Sequence, residues 1–403
     1  MSVDKKRKDV IVVLNCGSSS IKFAVFEAGE TPLPRTPLWN GKVQGIGGPS
    51  PDFSETGIAP FVISLGTKHP YRDAVGVIRE RVAARLEGRR IVAVVHRVVH
   101  GGDCYFEPVR IDSEVLAYLE SCIPLAPLHQ PYALDAIDML LREYPELPQV
   151  ACFDTGFHST MPAVEQILPL PYDAWRRGLR RYGFHGLSYE YMATALFERY
   201  SDGARGRTIV AHLGSGASLC AMLGLKSVAT TMGFSALDGL MMGTRTGALD
   251  PGAVIYLMEI EKLTLEEVAR TLYNSSGLLG ISGISAEPRV IVQHENDSGE
   301  TGQRARLALD LYVRRIASEI GAMTTVLGGL DLLVFTAGVG EHCAFVRERV
   351  CDALAFLGVR LDAAANADNA PLISTPDSVV QVGVEPTNEE WVAARHALRL
   401  LKF

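Results

Sequence analysis

Several features that would assign a function directly are missing from this sequence. None of its seven cysteines belongs to a Cys-x-x-Cys pair, and its ten histidines show no zinc-ligand spacing. No apolar run is long enough to span a membrane, and the apolar run after the basic residues 5–8 is too short for a signal peptide. These absences argue against a zinc module and a membrane protein, and they predict reduced, mostly buried thiols in a cytoplasmic protein.

The chain also lacks an excess of positive charge. It carries 39 Lys and Arg against 46 Asp and Glu, a formal net charge of −7. This balance argues against a nucleic-acid-binding surface, and any anionic substrate must be met by local positive side chains, because the overall field repels it. A length of 403 residues exceeds what a single core usually supports, so two domains are predicted.

The common sequence signatures of kinases, hydrolases and dinucleotide-binding proteins are absent as well. There is no Gly-x-x-x-x-Gly-Lys-Ser/Thr loop, no protein-kinase motif set and no Gly-x-Ser-x-Gly elbow. Residues 338–343 (GVGEHC) lack the last glycine of a dinucleotide fingerprint. What the sequence offers instead is a set of glycine-rich strand ends with isolated charged residues beside them.

The first of these strand ends lies within residues 10–26. Five apolar residues lead into a small-residue turn at 15–20, and alternation then resumes, which predicts strand, turn and strand. Backbone N–H groups and hydroxyls of such a turn can surround an anion, and Lys22 can reach back over it. An ordinary solvated turn is the alternative.

Other isolated polar residues are candidates for chemistry. Arg97 lies inside a buried strand, so it must face a carboxylate or a cavity, and an ion pair and an anion clamp both stay open. Asp154 ends another apolar strand, where α/β folds place ligands, with a helix cap as the alternative. His185 stands between glycines ahead of Ser188, a predicted helix N-cap.

Two parts of the chain repeat earlier ones. Residues 208–222 repeat the opening pattern of strand, small-residue turn and strand, and residues 333–338 echo residues 150–156. The repeats predict a duplicated α/β unit. Near the C-terminus, Thr387 and Glu390 have the spacing of a helix capping box.

The string Leu14–Lys22 (LNCGSSSIK) resembles the first signature of the acetate kinase family, which comprises acetate, propionate and butyrate kinases. Residues 96–102 (HRVVHGG) and 231–247 resemble further family signatures, and similar segments run to the C-terminus. The resemblance implies an α/β, duplicated actin-like and sugar-kinase-like (ribonuclease H-like) two-domain fold with an active-site cleft between the halves. It implies an N-terminal domain of residues 1–154 plus 388–403 and a C-terminal nucleotide-binding domain of residues 155–387.

The resemblance also implies the reaction and its participants. The expected activity is reversible, Mg²⁺-dependent transfer of the ATP γ-phosphate to acetate, giving acetyl phosphate and ADP, with Mn²⁺ tolerated. The expected protein is a cytoplasmic homodimer that binds neither nucleic acid nor membrane. Catalysis is assigned to Asp154, His185 and Arg245, and the metal to Asn15 and Glu389. Substrate binding is assigned to Arg97, Val99, Leu128, His129, Phe184 and Ala236. Nucleotide and phosphate binding is assigned to Ser18, Ser20, Lys22, His212, Leu213, Gly214, Ser215, Gly216, Glu287, Pro288, Arg289, Gly338, Val339, Gly340, Glu341 and His342.

The chemistry of the carboxylic acid substrate bears on the role of Asp154. A carboxylic acid is already ionised at neutral pH, so the nucleophile needs no strong general base. The difficulty is to bring two anions together, which requires converging Arg, His, Lys and Mg²⁺. We therefore expect Asp154 chiefly to orient an arginine or metal-bound water, with proton transfer as the lesser role.

The sequence departs from the family pattern at four positions. Ser215 and His342 replace asparagines, Glu287 replaces an aspartate, and Ala236 replaces a pocket proline. The first three fall in segments assigned to the nucleotide, so another donor, such as pyrophosphate, stays an alternative. Ala236 leaves propionate or another short-chain acid open as the substrate. A nucleotide-gated binding protein of the actin or chaperone type is a more distant alternative, against which the pair Arg97 and Arg245 argues, because a switch needs no anion clamp.

Overall fold

The computed structural model describes residues 8–17, 19–29, 31–127 and 129–402. Ser18 and Leu128, both assigned to the site above, lie outside the described residues. The chain divides into two compact units, the first formed by Met1–Gly156 with Asn388–Phe403 and the second by Phe157–Thr387.

The elements follow one another along both units. The strands are β1 (Asp9–Cys16), β2 (Ser20–Glu27), β3 (Trp39–Gln44), β4 (Asp52–Glu55), β5 (Ile58–Val62), β6 (Arg90–Val98), β7 (Val109–Arg110), β8 (Gln149–Phe153), β9 (Arg207–Leu213), β10 (Ala217–Leu223), β11 (Lys226–Thr230), β12 (Leu332–Thr336) and β13 (Gln381–Val384). The helices are α1 (Pro70–Arg85), α2 (Ser113–Ser121), α3 (Gln130–Glu143), α4 (Ala163–Gln166), α5 (Tyr172–Arg176), α6 (Gly186–Tyr200), α7 (Pro251–Glu259), α8 (Leu265–Asn274), α9 (Gly277–Ser282), α10 (Pro288–Ile291), α11 (Gly299–Leu327), α12 (Ala337–His342), α13 (Ala344–Ala353), α14 (Ala363–Ala367) and α15 (Glu389–Leu401).

The sheet of the first unit places three predicted site residues side by side. Its strand order is β5-β4-β3-β2-β1-β6-β8-β7, with β1 antiparallel to β2 and parallel to β6. Asn15 on β1 is in register with Lys22 on β2 and with Arg97 on β6. Residues in register on neighbouring strands share a face of the sheet, so these side chains form one row.

The two faces of this sheet have different roles. Val12 and Leu14 point to the face covered by α1 and α3, where they join the apolar core of the unit. Asn15, one residue on, points to the opposite face because side chains alternate along a strand. Cys152, in register with Arg97, lies with its Sγ 4.0 Å from the Ala393 carbonyl oxygen of α15. The row of predicted site residues therefore faces α15.

The second unit repeats the sheet of the first. Its strand order, β11-β10-β9-β12-β13, matches the order β3-β2-β1-β6-β8 of the first unit. In the second sheet, the strands on one side of β9 pair antiparallel and those on the other side pair parallel, as they do around β1. The predicted duplicated α/β fold is confirmed, and so is the repeat of residues 10–26 in residues 208–222. The second predicted repeat, of residues 150–156 in residues 333–338, was wrong. In the strand order, β12 holds the place of β6 and not that of β8.

Two helix starts differ from their predictions. Helix α6 begins after His185, which has a left-handed φ of 59°, and not at Ser188. The Ser188 hydroxyl is instead bonded to the Thr387 hydroxyl at 2.8 Å. Because Thr387 is engaged there, α15 is capped by Asn388, whose side chain accepts from the Trp391 N–H. In both cases a tertiary hydrogen bond displaced the local capping pattern.

The thiols are distributed as the sequence predicts. All seven cysteines are free, and all except Cys104 are buried. In the described part of the chain, none of the helices combines the length and the apolar character that crossing a membrane requires.

Candidate active site

Arg97 is the centre of a cluster in the first unit. Its Nε and Nη2 donate to the two carboxylate oxygens of Asp154, at 2.8 and 2.6 Å. Its Nη1 lies 3.2 Å from Asn15 Oδ1 and 3.2 Å from Glu389 Oε2. These four residues are called the Arg97 cluster below. Of the two alternatives for Arg97, the ion pair is formed, and the anion clamp stays a prediction.

The charge state of the Arg97 cluster follows from its surroundings. Burial disfavours the charged form of Arg97, but the carboxylates of Asp154 and Glu389 outweigh it and raise the Arg97 pKa above its ordinary value. Burial, followed by repulsion from Glu389, raises the pKa of Glu390. The guanidinium is thus a permanent cation held in place by acids on separate elements, and the paired, hydrogen-bonded geometry is what makes its burial tolerable.

The turn between β1 and β2 is fixed from outside the hairpin. The Gly17 N–H donates to the Ser20 carbonyl at 2.8 Å, and the Tyr71 hydroxyl donates to the Gly17 carbonyl at 2.9 Å. The Tyr71 ring stacks on Tyr132, with ring centroids 4.4 Å apart. Ser20 begins β2 half-buried, and the Lys22 side chain is exposed. The sequence gives no signal for this role of Tyr71, because its helical spacing in α1 makes it one apolar residue among others.

Val99 and His129 belong to neighbouring segments. The Gln130 side chain accepts from the His100 N–H at 3.1 Å and donates to the His100 carbonyl at 2.9 Å. This pair of bonds joins the end of β6 to the start of α3. Val99 and His129, each next to a bonded residue, are both half-buried. Gln130 is a second residue that sequence reasoning missed.

His185 is held firmly in the second unit. Its Nδ1 is hydrogen-bonded to Ser218 Oγ at 2.8 Å, and the Tyr189 hydroxyl bonds the same oxygen at 2.5 Å. Its ring stacks on His212, with centroids 4.2 Å apart. A histidine in the left-handed region is uncommon, and such strain is concentrated at functional sites. The repeat of residues 10–26 in residues 208–222 places Ser218 at the position of Ser20, and this was the sequence signal that pointed to Ser218.

Gly216 brings His185 and Arg245 together. A Cβ built on Gly216 would lie 3.1 Å from His185 Nε2 and 3.7 Å from Arg245 Nη1. The Arg245 Nη1 donates to the Ala236 carbonyl at 3.0 Å. Burial lowers the pKa of Arg245. Four residues assigned to substrate, phosphate or catalysis therefore lie next to one another. We call them the Arg245 cluster, which consists of His185, Gly216, Ala236 and Arg245.

The Phe184 backbone is fixed by a histidine that sequence reasoning missed. His158 Nε2 lies 2.9 Å from the Phe184 carbonyl oxygen, and its Nδ1 lies 2.8 Å from Ser227 Oγ. Burial lowers the pKa of His158 to about 4. His158 is therefore neutral at pH 7, and it positions the residue before His185.

Helix α12, which carries the assigned residues 338–342, is tied at both ends. Glu341 Oε1 accepts from the N–H of Ala337 at 2.8 Å and from that of Thr387 at 3.1 Å. The fully buried Arg347 donates through Nη1 to the carbonyls of Gly340 and Glu341, at 2.8 and 3.0 Å. Glu341 thus has a structural role beside the predicted one.

The turn between β9 and β10 lies beside α12. The Gly214 N–H donates to the Gly216 carbonyl at 3.1 Å, and a Cβ on Gly214 would lie 3.6 Å from the Ala337 Cβ. Ser215 at the tip is exposed, and so is most of the His342 side chain. His212 and Leu213 end β9 and are buried, and Val339 is buried within α12.

The third assigned segment begins a helix. Glu287 is the N-cap of α10 and is exposed, Pro288 is buried, and Arg289 is exposed. A Cβ on Gly243 would lie 3.0 Å from the Ala286 carbonyl oxygen, so this segment adjoins residues 231–247. The second unit thus joins two of the assigned nucleotide segments directly, and it brings the third next to the segment that carries Arg245.

The donor set of the Arg97 cluster fits one metal in particular. No group of three or more His, Cys, Asp or Glu that could enclose a metal occurs among the residues the structure describes. Asn15 and Glu389, however, direct one oxygen each at the same Arg97 nitrogen. Mg²⁺ is usually held by one or two carboxylates with waters and substrate phosphates, so these two oxygens fit Mg²⁺ and do not fit a cage site.

Comparisons with known proteins identify the family of this chain. The model of the Acetokinase family matches residues 10–395. The acetate kinase of Rhodopseudomonas palustris is 47% identical over 400 residues, covering 97% of this chain and 98% of that protein. The crystal structure of Porphyromonas gingivalis acetate kinase is 37% identical with a TM-score of 0.86, covering 98% of this chain and 100% of that one.

A solved propionate kinase is similar to the same degree. The enzyme from Francisella tularensis is 34% identical with a TM-score of 0.88, covering 96% of this chain and 98% of that chain. The resemblance first carried by residues 14–22 is confirmed along nearly the whole sequence, and this chain belongs to the acetokinase family.

Proposed function

We propose that this protein catalyses the reversible transfer of the ATP γ-phosphoryl group to acetate, giving acetyl phosphate and ADP. The observation that carries the proposal is the Arg97 cluster. Asp154 orients the guanidinium with both of its oxygens, and the oxygens of Asn15 and Glu389 converge on Nη1. A fixed cation beside two Mg²⁺-type ligands suits a reaction between two anions.

The chain's own residues supply positive charge for this reaction. Arg97 and Lys22 in the first unit, and Arg245 and His185 in the second, would bind the carboxylate and offset charge on the migrating phosphoryl group. One well-placed donor contributes about 10²–10³ in rate. Both Asp154 oxygens are engaged by Arg97, which supports the orienting role over proton transfer. Mg²⁺, held by Asn15 and Glu389 with Mn²⁺ tolerated, would neutralise phosphate charge when bound.

ATP is the proposed donor. A Cβ on Gly338 would meet no described atom within 4 Å, so packing does not require glycine there, and the backbone is open to a ligand. The exposure of Ser215 and His342 lets both replace asparagine without steric conflict. Losing a neutral hydrogen bond costs about 0.5–1.5 kcal/mol, so we expect weaker nucleotide binding and not a change to pyrophosphate.

Propionate is a second candidate substrate. Ala236 replaces the bulkier proline of the family, and its carbonyl is anchored to Arg245. One methylene in an apolar pocket is worth about 1–3 kcal/mol, so the smaller side chain would let propionate approach acetate in efficiency. The similar solved structure of a propionate kinase agrees with this reading.

The activity is checked by trapping the acyl phosphate with hydroxylamine across acids and donors. We expect acetyl hydroxamate with acetate, ATP and Mg²⁺, and none after chelation of the metal. Propionate should react within about a hundredfold of acetate in efficiency, while pyrophosphate should give no product. No hydroxamate above background with any short acid and any donor would falsify the proposed function.

We also propose that the enzyme is a homodimer joined through α7. None of the side chains of α7 is buried, and Ile255 and Tyr256 are 56% and 53% exposed. Ile260 and Leu265, just beyond the helix, are exposed as well. Exposed apolar side chains grouped on one helix and the segment after it favour an interaction site, and a second copy of the chain is the simplest occupant. The seven free thiols support a cytoplasmic setting, which cell fractionation checks.

The double substitution Ile255→Asp with Tyr256→Asp tests the α7 interface. Light scattering should give about twice the 43.7 kDa chain mass for the native protein and one chain mass for the variant, because buried charge disfavours the interface. Leu307→Asp is the matched control, since Leu307 is 57% exposed on α11. A monomeric native protein, or a variant that stays dimeric, contradicts the proposal.

A further inference from the structure

A chain of hydrogen bonds leads from the Tyr189 hydroxyl to the His185 ring. The Tyr189 oxygen lies 2.5 Å from Ser218 Oγ, and Ser218 Oγ lies 2.8 Å from His185 Nδ1. Tyr189 and Ser218 are fully buried, and His185 is 9% exposed. Because these polar groups are removed from water, each of their hydrogens needs an acceptor within the protein.

One helix and one pair of strands bring the three side chains together. Tyr189 lies in the first turn of α6, and its N–H donates to the His185 carbonyl at 3.1 Å, so the two side chains share a face of the helix. Ser218 on β10 is in register with His212 on β9, and the His185 ring stacks on His212. The ring is therefore held against the strands that supply the Ser218 hydroxyl.

The number of hydrogens fixes the direction of these bonds. Burial raises the pKa of Tyr189 well above its ordinary value, so its hydroxyl carries a hydrogen at neutral pH. Among the residues that the structure describes, Ser218 Oγ is the hydrogen-bond partner of this hydroxyl. Tyr189 must therefore donate, because a buried O–H without an acceptor is costly. Ser218 has one hydrogen of its own, and that hydrogen is left to point at His185 Nδ1.

The two other arrangements each leave a buried hydrogen unpaired. If Nδ1 donated to Ser218 and Ser218 donated to Tyr189, the Tyr189 hydrogen would have no acceptor among the described residues. If Nδ1 and Tyr189 both donated to Ser218, the Ser218 hydrogen would have none there. A doubly protonated ring requires one of these two arrangements. Arg245, whose Nη1 approaches the same Gly216 position as His185 Nε2, would repel such a ring as well.

We propose that Tyr189 is a positioning residue, which acts through Ser218 to fix His185 as the tautomer that carries its hydrogen on Nε2. This inference rests on the proposed function, in which His185 offsets charge on the migrating phosphoryl group. Nε2 faces the position of Gly216, where a Cβ would lie only 3.1 Å away, so glycine leaves room in front of the N–H. The imidazole thereby presents a fixed N–H donor to a phosphoryl oxygen, and electrostatic stabilisation of a transition state depends on such preorganised donors.

NMR of the full-length protein with ¹⁵N-labelled histidine reads the tautomer directly. Two-bond proton–nitrogen correlations separate protonated from unprotonated ring nitrogens, and the His185→Asn variant identifies the signals of His185 by their loss. At about pH 8 we expect a neutral ring with the hydrogen on Nε2 and none on Nδ1. A hydrogen on Nδ1 overturns the proposal. Because the spectra need neither substrate nor turnover, they decide the tautomer even where the hydroxamate assay refutes the proposed function.

The substitution Tyr189→Phe tests the role of the tyrosine, because it removes the hydroxyl and keeps the ring. Ser218 can then accept a hydrogen from Nδ1, so signals of the Nδ1–H form should appear beside those of the Nε2–H form. We expect kcat for acetyl hydroxamate formation to fall about 2- to 12-fold, the range that one neutral hydrogen bond spans. The KM for acetate and for ATP should stay within about twofold of the native values.

The matched control is Tyr182→Phe. The Tyr182 hydroxyl is also buried, but it donates to the Gly178 carbonyl at 2.8 Å. This variant loses a comparable hydrogen bond away from Ser218, so it should keep the native tautomer and a kcat within about twofold of native. If Tyr189→Phe shows the native tautomer alone, or if both variants lose kcat equally, Tyr189 has a merely structural role and the proposal is refuted.

Discussion

Asp154→Asn is expected to lower kcat/KM for acetyl hydroxamate formation by at least about 10²-fold. The substitution keeps the size of the side chain but removes the charge that faces Arg97 Nε and Nη2. Asp154 is 2% exposed, and removing one partner of a buried ion pair typically costs about 3–5 kcal/mol. Because Arg97 would then lean toward Glu389, both acetate binding and the metal-ligand pair should be disturbed. Steady-state kinetics with varied acetate and varied Mg²⁺ measures the effect.

The pH profile of the Asp154→Asn variant distinguishes positioning from proton transfer. If Asp154 orients Arg97, the residual activity should keep the pH dependence of the native enzyme. A profile that loses its acidic limb would instead indicate that the carboxylate carries a proton. Glu143→Gln is the control, since it removes an acid from the exposed ion pair with Arg79. It should change kcat/KM by less than about twofold, because exposed pairs contribute little.

His185→Ala is expected to lower kcat by at least about 10²-fold while leaving the KM for acetate within a few-fold. His185 Nε2 lies beside Gly216 and Arg245, and its ring is fixed by Ser218 and His212. A donor held in this way contributes chiefly in the transition state, so its loss appears in kcat. Single-turnover measurements with saturating ATP and acetate give the chemical step directly.

The control for His185→Ala is another histidine of the second unit. His294 is half-exposed and bonded to Asp297 within a short helical turn, outside both clusters. His294→Ala should retain native turnover. Near-native turnover in His185→Ala contradicts the assigned role, and a loss that appears only in the KM for acetate would make His185 a substrate-binding residue instead.

The sequence predicts the need for some contacts but not their partners. A guanidinium inside the buried strand of residues 91–98 requires an acid or a cavity, and that inference needs only the cost of burying charge. The acid is Asp154, 57 residues away, and sheet register alone decides that Asn15 and Lys22 stand in the same row. Register is a property of paired strands, so a single strand read by itself does not contain it.

Local patterns failed where tertiary hydrogen bonds competed with them. Ser188 has the chemistry of an N-cap, yet its hydroxyl bonds His212 and Thr387 inside the second unit. The echo between residues 150–156 and 333–338 compared two apolar strands that end in glycine, but strand order depends on the whole sheet. Arg347 looked like any helical arginine, and only its buried bonds to α12 reveal its role.

The first unit is discontinuous, and this has a consequence for the order of events during synthesis. A ribosome makes the chain from the N-terminus at about 5–20 residues per second, and domains generally fold as units. Residues 157–387 are therefore complete before α15 exists, although residues 8–156 were made earlier. The unit begun first is finished second, because α15 must still pack against β1 and β6. Glu389 arrives with the same helix, so the Arg97 cluster can be completed only once α15 has been made.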